Sequence, residues 1–262
     1  MLQGKIALVT GSAKGLGKRT AIALAELGCQ VAVNYVNSES EAFSLVKLLE
    51  ANGSRAMAVR ADMASRADNE NMIGTIEREW GTVDILINNA GPFVRERRTF
   101  DEYELDEIDY MMRGNLLGVM QLDRLVLPGM MRRKWGRIIH FGFGRAAEAR
   151  GWPHRAAYAA AKVGLVSLTK TLAEEMAPHG VTVNMICPGD IRGGNKEKSI
   201  EEVAHLSDHE FPGIRQGSGE DVSRVIAFLC SPQSDFLTGN IMEVSGGFDP
   251  IRSMSSARPG QG

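Results

Sequence analysis

Cysteine is scarce in this chain of 262 residues: Cys29, Cys187 and Cys230 stand far apart, with no C-x-x-C pair among them. That spacing excludes a disulfide framework, argues against a thiolate metal site, and fits a reducing cytoplasm. A dominant sign of charge is also missing. Thirty Lys and Arg face thirty-two Asp and Glu, a formal net charge of −2, so no overall field draws the protein to nucleic acid or an anionic membrane surface. No stretch approaches about 18 uninterrupted apolar residues, and the opening Met-Leu-Gln-Gly-Lys leads into a short strand-like run rather than a secretory leader. The expectation is a cytoplasmic protein, neither exported nor membrane-spanning.

What is present is enough apolar sequence for a core, 44% hydrophobic against 24% charged, in a length that at roughly 150 residues per domain allows one large domain or two small ones. Short β-rich runs alternate with longer helical patterns. Residues 5–10 read as a strand, 15–27 as a helix and 30–35 as a second strand; a polar helix follows Ser38, then a strand near 55–60, a helix near 69–80 and an apolar strand over 83–88. The second half predicts one long helix over 105–133, a strand over 137–141, an Ala-rich helix over 155–177, a strand over 181–186, a helix near 221–230 and a last strand near 241–244. The strands lack period-two alternation, as expected where both faces are covered. No composition shift marks a linker. The pattern predicts an α/β fold: one doubly wound domain over 1–250, about seven parallel strands with helices on both faces, and a flexible tail over 251–262.

Thr10-Gly11-Ser12-Ala13-Lys14-Gly15-Leu16-Gly17 follows the first strand and opens a helix, the setting a dinucleotide-binding turn requires. Small residues there let backbone N–H groups and the positive helix end approach a pyrophosphate. The acid that would bind an adenosine ribose belongs at the end of the second strand, where Asn34 and Tyr35 stand instead. With no carboxylate to repel a 2′-phosphate and Lys14 able to pair with it, the expected cofactor is NADP(H) in preference to NAD(H).

Tyr158 and Lys162 lie four residues apart, on one side of a helix, so the ammonium is expected to lower the phenol's pKa towards the range useful in acid–base chemistry. Together with the glycine turn, Asn88-Asn89-Ala90-Gly91, Asn115, Pro188-Gly189, Thr238-Gly239 and Ser245-Gly246-Gly247, this pair makes the chain, from about residue 4 to 248, resemble the short-chain dehydrogenase/reductase family of Rossmann-type enzymes. The nearest-looking branch is the 3-oxoacyl-carrier-protein reductases, which share Asn-Tyr after the second strand and Gly-Arg-Ile-Ile before the fifth. The resemblance implies that Tyr158 exchanges a proton with substrate oxygen, that Lys162 holds the nicotinamide ribose, and that Asn115 supports a water in a proton path. It further implies that the cofactor lies along Gly11, Ser12, Lys14, Gly15, Leu16, Gly17 and Asn34, reaches adenine contacts at Asp62 and Met63, and passes Asn89, Ala90, Gly91, Pro188, Gly189 and Ile191. No metal is implied: His205, Asp208, His209 and Glu210 read as a polar lid.

Two positions depart from the family pattern. Counting along the fifth strand puts Phe143 where an active-site serine is usual, with about two residues more than usual before Tyr158, and Gly193 stands where a threonine usually contacts the cofactor. Losing one oxyanion-type donor typically costs about 2.7–4 kcal/mol, so a substitute is sought in Arg145, His154 or the N–H groups of Gly142 and Gly144. Residues 92–100 and 190–215 correspond to substrate-facing loops, where Arg95, Arg97 and Arg98 read as solvated charges. The resemblance implies reduction of a carbonyl or acyl substrate by a homotetramer, with weakened activity in prospect. The alternatives are a reductase of an activated C=C or C=N bond and a catalytically attenuated nucleotide-binding protein.

Overall fold

In the computed structural model, residues 2–207 and 215–247 are described. Seven strands form one sheet: β1 (Ile6–Val9), β2 (Gln30–Tyr35), β3 (Ala56–Arg60), β4 (Ile85–Asn88), β5 (Gly136–Phe141), β6 (Val181–Pro188) and β7 (Ile241–Val244). Their order is β3-β2-β1-β4-β5-β6-β7, every neighbouring pair parallel. The connecting helices are α1 (Gly15–Glu26), α2 (Glu39–Ala51), α3 (Arg66–Glu79), α4 (Leu105–Met112), α5 (Gly118–Arg133), α6 (Ala156–Met176), α7 (Ile200–Val203) and α8 (Gly219–Cys230).

Alternate residues of each central strand explain the uninterrupted apolar runs. Ala7, Val9, Ile85, Ile87 and Ile139 pack beneath α1, α2 and α8, whereas Ile6, Leu8, Leu86 and Ile138 pack beneath α3 and α5. Both faces are core, so polar alternation has no place. Chain order reverses between β1 and β4, which run level, Val9 beside Ile87. A crevice opens at their carboxyl ends, where ligands of doubly wound sheets bind.

The long helix expected over 105–133 is interrupted. Arg113–Leu117 form a π-helical turn between α4 and α5, and Asn115 sits inside it, fully buried. Its Nδ2 donates to the Met111 carbonyl at 3.1 Å and the Pro92 carbonyl at 2.8 Å. The side chain thus takes a carbonyl of the helix and ties the turn to the loop after β4. One extra residue in a turn leaves the apolar period nearly unchanged, and such insertions cluster at functional sites. No helix among the described residues is long and apolar enough to cross a membrane. Asp208, His209, Glu210 and the tail over 251–262 lie outside the described residues.

Candidate active site

The glycine turn after β1 is assembled by side chains that face inward. Gly11 and Gly15 adopt φ of 60° and 63°, a left-handed region that penalises any Cβ. Asn34 Oδ1 accepts the Gly11 N–H at 2.9 Å while its Nδ2 donates to the carbonyls of Ala61 and Val59 at 3.0 and 3.3 Å. Ser12 donates to the Val9 carbonyl at 2.7 Å and accepts the Asn34 N–H at 3.1 Å. Both side chains are fully buried. Ser12 and Asn34, both expected along the cofactor, shape the turn through these bonds. Thr10 Oγ1 accepts the Asn89 and Ala90 N–H groups at 3.0 and 2.9 Å, fastening the turn after β4 to the turn after β1.

The outward side of the same turn is lined with acid–base pairs. Glu197 accepts the Gly15 N–H at 2.9 Å and the Lys18 ammonium at 2.7 Å, and Lys14 pairs with Glu41 at 2.6 Å. These partners hold both carboxyls below the usual range, Glu41 through Lys14 and Glu197 through the Gly15 N–H and Lys18 working against its partial burial. Nothing near Glu197 in sequence announces this contact. Lys196 beside it has an exposed side chain and lines the cleft with no described hydrogen-bond or ion-pair partner, another residue that motif reading missed.

From this turn a cavity of about 350 Å³ runs past Leu16, Asn89 and Gly91 to Tyr158 and Lys162, with Pro188, Gly189 and Ile191 along its other side. Asp62 and Met63 fall outside that stretch. Asp62 accepts the Tyr110 hydroxyl at 3.1 Å and the Ala64 N–H at 2.9 Å, and Met63 is buried against the core beneath α3. Lys162 lies over the Tyr158 ring, 5.7 Å from its centroid. It is only 2% exposed, and burial lowers its pKa to about 8. Burial pushes the Tyr158 phenol the other way, well above its ordinary value, with nearby Cys187 adding to the rise. Desolvation is the largest influence on the phenol, and Lys162 is not among the groups that shift it. Asn115 Oδ1 is buried without a hydrogen-bond partner.

A family profile described as enoyl-(acyl carrier protein) reductase matches residues 11–249. The chain belongs to the short-chain dehydrogenase/reductase family. YtkK of Bacillus subtilis, provisionally named an oxidoreductase, is 43% identical over 246 residues, 94% of this chain and 96% of its own. The 3-oxoacyl-[acyl-carrier-protein] reductase FabG of Staphylococcus epidermidis is 35% identical over 93% of this chain and 98% of its own. A solved structure from Bacillus thuringiensis, provisionally described as a 3-oxoacyl-reductase, superposes with a TM-score of 0.88 at 43% identity, covering 94% of this chain and 99% of that one. A blue fluorescent protein from a metagenomic library, solved in complex with NADPH, superposes with a TM-score of 0.81 at 33% identity, covering 94% and 98%.

Within this short-chain reductase scaffold the wall opposite the glycine turn is aromatic. Phe143, 4% exposed, lies 6.3 Å from the Tyr158 ring and 5.0 Å from Trp152 between centroids, and Phe93 meets Tyr158 edge-on at 5.0 Å. Arg155 secures Phe93: its guanidinium lies 5.1 Å from that ring and donates to the carbonyls of Arg95 and Glu96, each at 2.8 Å. Arg98 pairs with Glu107 at 2.7 Å.

Of the four groups sought as a substitute donor, three are occupied. The Arg145 N–H donates to Glu243 at 2.8 Å and its guanidinium to Glu148 at 2.7 Å; the Gly142 N–H donates to the Ile186 carbonyl at 2.8 Å; His154 faces the Arg98 carbonyl at 3.3 Å. Gly144 alone of the four both lines the cleft and has no hydrogen-bond partner for its N–H among the described residues.

Proposed function

We propose that this chain is an NADP(H)-dependent oxidoreductase that reduces a carbonyl to an alcohol, with Tyr158 as proton donor. The observation that carries this reading is the convergence of Tyr158, of Lys162 with no hydrogen-bond or ion-pair partner among the described residues, and of the orphaned Asn115 Oδ1 on a cleft that begins at the glycine turn. Buried polar groups without partners are costly, and a bound dinucleotide with its attendant water answers them. The residues fit that group: Gly15 and Leu16 face its phosphates, Lys196 adds a cation, and Lys162 meets the nicotinamide ribose. When bound, NADP(H) supplies or accepts the hydride.

The remaining chemistry belongs to the chain. Tyr158 carries its proton at neutral pH and gives it to the substrate oxygen in the reductive direction, and Lys162 restores the lost proton through the region of Asn115. A 2′-phosphate beside Lys14 displaces Glu41, giving NADP(H) its advantage over NAD(H). Residues 92–100 and 190–207 face the substrate, and the relatives' names make 3-oxoacyl thioesters one class to test. Exposed apolar side chains on α4, the π turn and α5, among them Leu105 at 80%, Leu117 and Met120, support a homo-oligomer, a tetramer as the family resemblance implies, working in the cytoplasm. The phenylalanine at 143, with no hydroxyl to polarise a carbonyl, favours reduction of an activated C=N or C=C bond as the second reading.

The test measures NADPH and NADH binding by calorimetry and NADPH oxidation with ketones, 3-oxoacyl thioesters and conjugated imines. Tighter NADPH binding with ketone-dependent oxidation is expected. Oxidation with imines alone selects the second reading, and binding without any turnover leaves a nucleotide-binding protein that is not a reductase.

A further inference from the structure

We propose that the substrate end of the cleft takes a flat, conjugated ring ketone held against aromatic faces, in preference to an extended acyl chain; this rests on the reductase reading above. Four rings gather there, Phe93, Phe143, Trp152 and Tyr158, with centroid separations from 5.0 to 6.3 Å. None of these pairs stacks face to face: their planes are inclined by 40° to 85°. Phe143 is buried, but Phe93 is 43% exposed and Trp152 half-buried, so these two rings leave surface for another flat π system, which aromatic side chains bind in offset or edge-on geometry.

The polar groups at this end point the same way. Tyr158 is the side-chain donor assigned to the reacting oxygen, and of the four groups sought as its substitute partner Gly144 N–H is the one without a hydrogen bond among the described residues. A simple aliphatic ketone would lack the second strong donor, a deficit of roughly 100- to 1,000-fold in rate. A carbonyl conjugated to a ring and flanked by a second electron-withdrawing group is electrophilic enough to do without it. The aromatic end belongs to the same cavity of about 350 Å³ that begins at the glycine turn.

The reaction balances with what the site supplies. The carbonyl carbon accepts a hydride, with its two electrons, from NADPH, and the oxygen accepts the Tyr158 proton, so the ketone becomes a secondary alcohol. The cofactor leaves as NADP⁺, and solvent returns the proton to Tyr158.

Isatin is the planar probe and S-acetoacetyl-N-acetylcysteamine the acyl-chain probe. With wild-type protein and NADPH, kcat/KM for isatin is expected to exceed that for the thioester by roughly 100-fold, the size of the missing-donor deficit. Calorimetric titration of isatin into the NADP⁺ complex is expected to show binding that Trp152→Leu weakens by about tenfold, the upper range for one aromatic pair. Trp152→Phe should restore most of that binding, and NADPH affinity should be the same in all three proteins. Preferential turnover of the thioester, or isatin binding indifferent to Trp152→Leu, overturns the aromatic site while leaving the reductase reading intact. Isatin bound in a Trp152-dependent way but never reduced keeps the aromatic site and overturns the reductase reading instead.

Discussion

The two ends of the cleft treat their polar groups in opposite ways. At the glycine turn four donors have partners within the protein: Gly11 N–H has Asn34, Gly15 N–H and Lys18 have Glu197, and Lys14 has Glu41. Around Tyr158 the phenol, the Lys162 ammonium, the Gly144 N–H and Asn115 Oδ1 have no hydrogen-bond partner among the described residues. An end whose charges are already paired gives up little by standing empty, and its ligand must displace a resident carboxylate. At the other end the buried, unpartnered Asn115 Oδ1 carries a cost that a ligand or its attendant water relieves. Recognition and chemistry are thus separated in energy as well as in space.

The largest effect that sharpens this contrast is at the chemical end. Tyr158→Phe should lower ketone-dependent NADPH oxidation by roughly 100- to 10,000-fold, the range of a positioned acid, while calorimetry shows NADPH affinity unchanged; a wild-type rate would place the proton donor elsewhere. Lys162→Met should cost activity yet add stability. Its pKa falls from 10.5 in the unfolded chain to about 8 in the folded one, a penalty of roughly 3 kcal/mol fully present below pH 8. The unfolded chain holds the extra proton between pH 8 and 10.5, so wild-type stability rises through that window and the variant's advantage fades. Urea unfolding at pH 7 and pH 10 measures both, and equal stabilities at pH 7 would show the ammonium to be solvated.

The cofactor end should respond more gently. Glu197→Gln is expected to tighten NADPH binding by about two- to fivefold, the scale of one charge at a helix N-terminus, and an unchanged Kd would mean that this carboxylate does not compete. Smallest of all, Lys14→Ala should weaken NADPH by about twofold and leave NADH alone, since exposed pairs contribute little. Equal losses for both cofactors would break the link between Lys14 and the 2′-phosphate.

Contiguous features were legible in the sequence. Apolar runs without alternation identify a doubly wound sheet because both faces of each strand are buried, and the glycine spacing identifies the turn because its geometry is set within eight residues. Counting along β5 placed Phe143 beside Tyr158 because residues in a ladder keep register with their neighbours. Side-chain direction at the end of a strand is a different matter: the bonds that Ser12 and Asn34 make inside the protein could not be read from their positions in sequence. Arg145, with φ of 65°, sits in a loop whose path no period predicts. The hold of Glu197 on Gly15 spans 182 positions, and the four rings come from two separate loops and a helix end, so only the folded chain brings them together.

The carboxylate on the glycine turn has a kinetic consequence under the proposed reading. Cofactor binding becomes an anion exchange, Glu197 leaving as a diphosphate arrives, and added salt screens both the outgoing and the incoming contact. Affinity should then vary less steeply with ionic strength than the lysines at 14, 18 and 196 would suggest. The same short stretch of chain carries Ile191, Lys196 and Glu197, so releasing Glu197 frees the segment that borders the ketone's place. Substrates should accordingly bind in compulsory order, dinucleotide first.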